Sequence, residues 1–149
     1  MHRLPRIRSS SLSSSLSLLV VLAACTPDDG RGPPDAERGR YIADSIAMCT
    51  DCHTPRNEWG ELVRDRWLAG TSLPFAPSVE MPWATTAPAI AGLPAMTDEE
   101  AVTYLMTGLL PGGRRSRPPM PEFRFAARDA RDVVAYLRSV GPAPGGAGR

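Results

Sequence analysis

The chain has 149 residues, the size of one modest domain, with 42% hydrophobic but only 6% aromatic side chains. Its 17 basic residues are all arginine, and from Cys25 onward 14 of them face 16 acids, a net charge of −2. This balance excludes the phosphate-neutralising excess of nonspecific nucleic-acid binding, and so few large side chains call for something else to fill the centre of a compact fold.

Residues 1–24 begin with Arg3, Arg6 and Arg8, pass through serine and leucine, and reach the apolar run Leu18 to Ala24. That is the layout of a secretory signal peptide, and the run is too short for a comfortable membrane span. Leu22-Ala23-Ala24-Cys25 resembles the lipobox of bacterial lipoproteins. The resemblance implies lipid attachment at Cys25, several acyl chains holding the protein to a membrane, and a place on the periplasmic side of a bacterial cell envelope. Residues 25–35, polar and rich in Pro and Gly, are then a lipid-anchored flexible linker. Exported thiols seldom stay free.

Asp35 is the predicted cap of a first helix, with Glu37 in its first turn and Tyr41, Ile42, Ile46 and Met48 near helical spacing. The stretch Cys49-Thr50-Asp51-Cys52-His53 follows at its C-terminal end. Thr54 to Ala95 reads as a long coil, with short helical turns at Glu61–Leu68 and Thr85–Ile90 and no strands. Thr97 and Glu100 form a capping box for a second long helix with apolar Ala101, Val102, Tyr104 and Leu105, stopped by Gly108. A proline loop leads to the last helix, where Val133, Tyr136, Leu137 and Val140 share a stripe that Gly141-Pro142 ends. Residues 142–149 read as a disordered tail. The predicted fold class is all-α: three main helices and long Pro/Gly-rich loops over residues 36–141. So long a coil suits a compact domain when it wraps a large flat cofactor.

Three chemistries use two cysteines and a histidine. A structural zinc site wants four ligands, but the other histidine is His2, in the signal segment, and Cys25 lies outside the domain. A thioredoxin-like dithiol sits at a helix N-terminus within a βαβ unit, whereas this pair follows a helical pattern. Cys-X-X-Cys-His as a haem c attachment fits best: Cys49 and Cys52 form thioethers, and His53, next to the second, reaches the iron. For the sixth ligand, Met48 is too close to the motif, Met96 looks like a staple residue, and Met106 reads as core filler. Met81 and Met120 remain. Met120 is preferred because Pro119 and Pro121 hold its backbone extended, so the expected metal ligands are His53 and Met120.

On these residues the chain resembles class I monohaem cytochromes c from Glu37 to Val140, through "RGRYIADSIAMCTDCHTP", "PPMPEF" and "DARDVVAYLRSV". It is most similar to the cytochrome c domains of bacterial membrane dehydrogenase complexes, through "CHTPRNEWGEL" and the helix start "MTDEE". The resemblance implies a cytochrome c fold around one covalent haem c, with Gly39 and Tyr136 where the first and last helices cross. Gly39 stands slightly further from Cys49 than in the shortest members, so a turn or bulge is expected between them. It also implies that a proline carbonyl, Pro74 among several, accepts the His53 ring N–H. Trp83, Thr85 and Arg114 are candidate donors to the haem propionates. The expected role is electron carrier, or electron-accepting subunit, rather than enzyme. Its partners would be redox proteins (a dehydrogenase or oxidase) and the membrane through the anchor, with no nucleic acid. The alternative is a peroxidase-like haem enzyme with an open sixth position, for which no distal histidine remains. Arg114, Arg115, Arg117, Arg124, Arg128 and Arg131 flank the Met120 loop and are expected to steer an acidic partner.

Overall fold

Asp35 opens the first helix as its position predicts, its carboxylate accepting from the N–H groups of Glu37 and Arg38. The computed structural model describes residues 32–141; the expected signal peptide, Cys25, most of the expected linker and the expected tail lie outside the described residues. Helix α1 (Ala36–Tyr41) runs into a π turn (Ile42–Ile46), where the Ala47 N–H donates to the Ile42 carbonyl at 2.8 Å. A π turn accommodates an extra residue within a helix, and this one is the bulge that the position of Gly39 calls for. Met48 then adopts a left-handed conformation, φ 51°. A right-handed helix cannot continue through such a residue, so the cysteine motif forms its own short helix, α2 (Cys49–His53), instead of ending the first.

The coil beyond it is more ordered than its composition suggests. One 3-10 turn (Arg64–Arg66) falls inside the predicted Glu61–Leu68 stretch. The expectation of no strands is overturned: β1 (Thr71–Ser72) pairs antiparallel with β2 (Thr86–Ala87), Thr71 opposite Ala87. Strand β2 also replaces the helical turn expected over Thr85–Ile90. Gly70 makes the pairing possible, because a Cβ there would stand 2.6 Å from the Ala89 nitrogen, and its φ is +80°.

Helix α3 (Asp98–Thr107) carries the reciprocal Thr97–Glu100 capping box and stops at left-handed Gly108. Helix α4 (Ala127–Val140) buries Ala130, Val133, Val134, Tyr136 and Leu137 against Ile42, Ala43, Leu68, Leu93, Ala101 and Leu105. The described part is thus helical with one two-stranded pair.

The crossing of α1 and α4 is close. A Cβ on Gly39 would lie 1.8 Å from the Asp132 carbonyl oxygen, so only hydrogen fits. Beside it the Asp132 carboxylate, fully buried, accepts from the Asp35 N–H at 2.8 Å, Arg38 at 2.9 Å and Arg128 at 3.1 Å. Burial pushes the Asp132 carboxyl up, but these three donors outweigh it and hold its pKa below the ordinary value.

Gly39→Ala is expected to destabilise the intact protein by about 2–3 kcal/mol through overpacking, read from urea unfolding. The lowered pKa makes the stabilisation from Asp132 complete above about pH 4 and lost as pH falls through the folded value. Asp132→Asn should therefore cost about 2 kcal/mol at neutral pH and flatten the acid limb of a plot of urea midpoint against pH.

Candidate functional site

Helix α2 sets Cys49 and Cys52 three residues apart, on one face of a single turn, with His53 next in line. Both cysteines are free thiols and half-buried, and Cys49 packs against the core. Burial pushes the Cys49 pKa up to about 11, with the Asp44 charge adding to it. Dithiol exchange requires a lowered thiol pKa, so this environment opposes it.

His53 is only 5% exposed. Its Nδ1 lies 2.7 Å from the Pro88 carbonyl oxygen. A carbonyl only accepts, so Nδ1 carries the proton and Nε2 keeps its lone pair. Burial lowers the ring's pKa, against the opposing effect of the Pro88 bond, and the neutral imidazole is the form that binds a metal. The carbonyl in place is Pro88, not the expected candidate Pro74. Several prolines compete in the coil, and nothing local distinguishes the one that tertiary pairing delivers.

The delivery is visible in the hydrogen bonds. The Gly70 N–H donates to the His53 carbonyl at 2.8 Å, and the Leu68 N–H donates to Oγ1 of fully buried Thr54 at 3.0 Å. The Leu68 carbonyl in turn accepts from Ile90 at 2.9 Å and Ala91 at 3.1 Å. The Pro88 carbonyl is therefore held at Nδ1 by backbone on both sides. Two thiols one turn apart, followed by a neutral imidazole with one nitrogen held and the other available, are the donor set that a covalently attached haem requires.

Met120 lies on a separate loop after the cis Pro118–Pro119 bond. It is half-buried, and its N–H donates to the Arg117 carbonyl at 3.3 Å. The Pro118 carbonyl accepts from the Ala84 N–H at 2.7 Å, which ties this loop to the segment after Met81; Met81 itself is 42% exposed. Met96 and Met106 pack against the core. The Trp83 indole donates to the Phe75 carbonyl at 3.3 Å, Thr85 pairs with Leu73 through backbone, and Arg114 is exposed. Several of the arginines near the Met120 loop are paired with acids. Arg115 and Arg124 share Glu122, Arg128 bonds Asp132, Arg131 is half-buried, and Arg114 and Arg117 are exposed.

Trp67 escaped the sequence reading. Its indole donates to the Tyr136 hydroxyl at 2.9 Å, which donates to the Asp44 carboxylate at 3.1 Å, and Arg64 lies 4.4 Å from the Trp67 ring centre. The available signal was the pairing of a tryptophan inside the coil with a tyrosine on the last helix, but only tertiary structure aligns them.

No family model matches the chain. Over 120 residues, 75% of its length, it is 33% identical to a diheme cytochrome c-type protein of Cereibacter sphaeroides. Over 111 residues, 71% of its length, it is 33% identical to the fructose dehydrogenase cytochrome subunit of Gluconobacter japonicus. The chain spans 38% and 22% of the lengths of these two relatives. One-third identity across most of the chain, joined to the Cys49–Cys52–His53 helix, supports a c-type cytochrome.

Proposed function

We propose that this chain is a monohaem c-type cytochrome that passes single electrons, as a carrier or as the electron-accepting subunit of a membrane dehydrogenase. In this reading it works on the periplasmic side of a bacterial envelope, tethered through lipid on Cys25. The observation that carries the reading is His53, buried and neutral at the end of the two-cysteine turn, with Nδ1 held by Pro88. One relative is described as diheme, but this chain has a single Cys-X-X-Cys-His motif, which supports one haem. The dehydrogenase subunit among the relatives supports a dehydrogenase as partner.

When bound, haem c supplies one-electron ferrous–ferric chemistry. The chain's residues do the rest. Cys49 and Cys52 would hold the group through thioethers. His53 would ligate through Nε2; the Pro88 carbonyl fixes its tautomer and raises its basicity. Backbone bonds among Leu68, Gly70, Ile90, Ala91 and the His53 carbonyl hold the segments on either side of Pro88 in place, and the ring is buried. Met120, on a loop fastened at Pro118, would supply the second protein ligand to the iron. With both residues as ligands the iron would have no position left for a substrate, which is the reading that favours electron transfer over the peroxidase-like alternative.

Protein made alongside haem c maturation machinery should keep its pigment through denaturing electrophoresis, and Cys49→Ala with Cys52→Ala should lose it. Reduced wild type should take up little carbon monoxide, and Met120→Ala should bind it readily. Absence of covalent pigment sinks the proposal. Ready carbon monoxide binding by wild type would point to the open-site enzyme instead.

A further inference from the structure

Trp59 is 77% exposed, more than any other large hydrophobic side chain among the described residues. It is not on a loose loop. Arg56 and Leu62 form an antiparallel bridge, and the Asn57 N–H donates to the Glu61 carbonyl at 2.9 Å. Asn57 Oδ1 accepts from the N–H groups of Trp59 at 3.0 Å and Glu61 at 2.9 Å. One arm of the Arg56 guanidinium donates to the Gly60 carbonyl at 2.7 Å; the other donates to Asp51 at 3.2 Å. Asp51 stands between Cys49 and Cys52, so Arg56 braces the tip that carries Trp59 directly against the motif helix.

A tryptophan held out in a fixed position is suited to binding. Its loop is already ordered, so little conformational freedom is lost on association, and tryptophan is among the side chains that most often dominate an interface. Two classes of surface accept an exposed indole: the interfacial zone of a bilayer and an apolar pocket on a protein. Charge decides between them. Glu58 and Glu61 stand on either side of Trp59 in the chain, both exposed; with Arg56 offsetting Asp51 they leave the loop net negative, and an anionic leaflet repels such a patch. A pocket rimmed by basic side chains complements it.

We propose that the Trp59 hairpin is the docking anchor for the redox protein that exchanges electrons with this chain, a partner presenting an apolar pocket rimmed by basic residues. The proposal rests on the electron-transfer reading above and names the surface through which it operates.

The test uses the full haem-loaded chain in its own bacterium, with the photo-crosslinking residue p-benzoylphenylalanine in place of Trp59. One dominant protein adduct is expected, mapped by mass spectrometry to a basic-rimmed apolar surface and abolished by Glu58→Arg with Glu61→Arg. In parallel, Trp59→Ala should slow haem reduction by the bacterium's respiratory membranes by at least about ten-fold, with reduction by ascorbate and the urea midpoint unchanged and Trp59→Phe largely restoring the rate. Adducts to lipid only, no adduct, an adduct indifferent to the charge reversal, or unaltered membrane-driven reduction would each overturn the proposal. Haem staining of the same samples reports attachment separately, so loss of pigment counts against the earlier reading and not against the hairpin.

Discussion

Helices α1 and α4 meet backbone to backbone at Gly39, and the placement of everything downstream follows from that contact. With no Cβ in the way, the Asp132 carbonyl and the Val133 nitrogen sit directly against α1. The neighbouring Asp132 carboxylate then gathers the Asp35 N–H, Arg38 and Arg128, so the first turn of α1 is pinned to the middle of α4. Between this anchor and the cysteines lie the π turn and left-handed Met48. Together they reset the phase of the chain, and α2 starts with Cys49 facing the core and Thr50 and His53 buried. The tyrosine on α4 fastens the same region from the other side, through Asp44 in the π turn.

The second constraint is the return of the coil to His53. A buried imidazole needs a partner for its N–H, and no side chain supplies it; a carbonyl 35 residues away does. Bringing that carbonyl into place requires two backbone segments to run together, which explains a two-residue strand pair in an otherwise irregular stretch. Gly70 allows the approach, Leu68 supplies the shared acceptor, and Thr54 satisfies the Leu68 N–H inside the core. Among the described residues one buried side-chain nitrogen or oxygen lacks a partner, Arg131 Nε on α4, so none of the unpaired ones falls in this segment poor in regular structure.

Features written in local spacing were legible in the sequence. The Asp35 cap, the Thr97–Glu100 box, the stop at Gly108 and the stripe on α4 each depend on residues within a few positions of one another, and each stands where expected. The cysteine–histidine turn was legible for the same reason. Gly39 and Tyr136 came from resemblance, and the expected bulge has a concrete form in the π turn. What stayed hidden depends on contacts distant in sequence. Met48 in a left-handed conformation is invisible to helix periodicity, so the motif reads as the end of α1. A strand of two residues shows no alternation, so the Thr71–Ala87 pair reads as coil. Pro88 could not be told from Pro74, because both are prolines in the same coil and only the register of β1 on β2 separates them.

The stretch from Cys49 to Glu61 faces two ways, and its charges explain how. Its inward side is neutral: a thiol kept protonated by burial, an imidazole deprotonated by burial, and Thr54 and Pro55 sealed behind them. Its outward side carries Asp51, Arg56, Glu58 and Glu61, all exposed. The Arg56–Asp51 pair is half in solvent, where an ion pair alone adds little stability; its value is geometric, since the same guanidinium also holds the Gly60 carbonyl. A planar fork bonded at both ends fixes distance and direction better than a lysine would. A rigid outward tip and a sealed inward imidazole, built on one short helix, hold Trp59 in a constant relation to the cysteines.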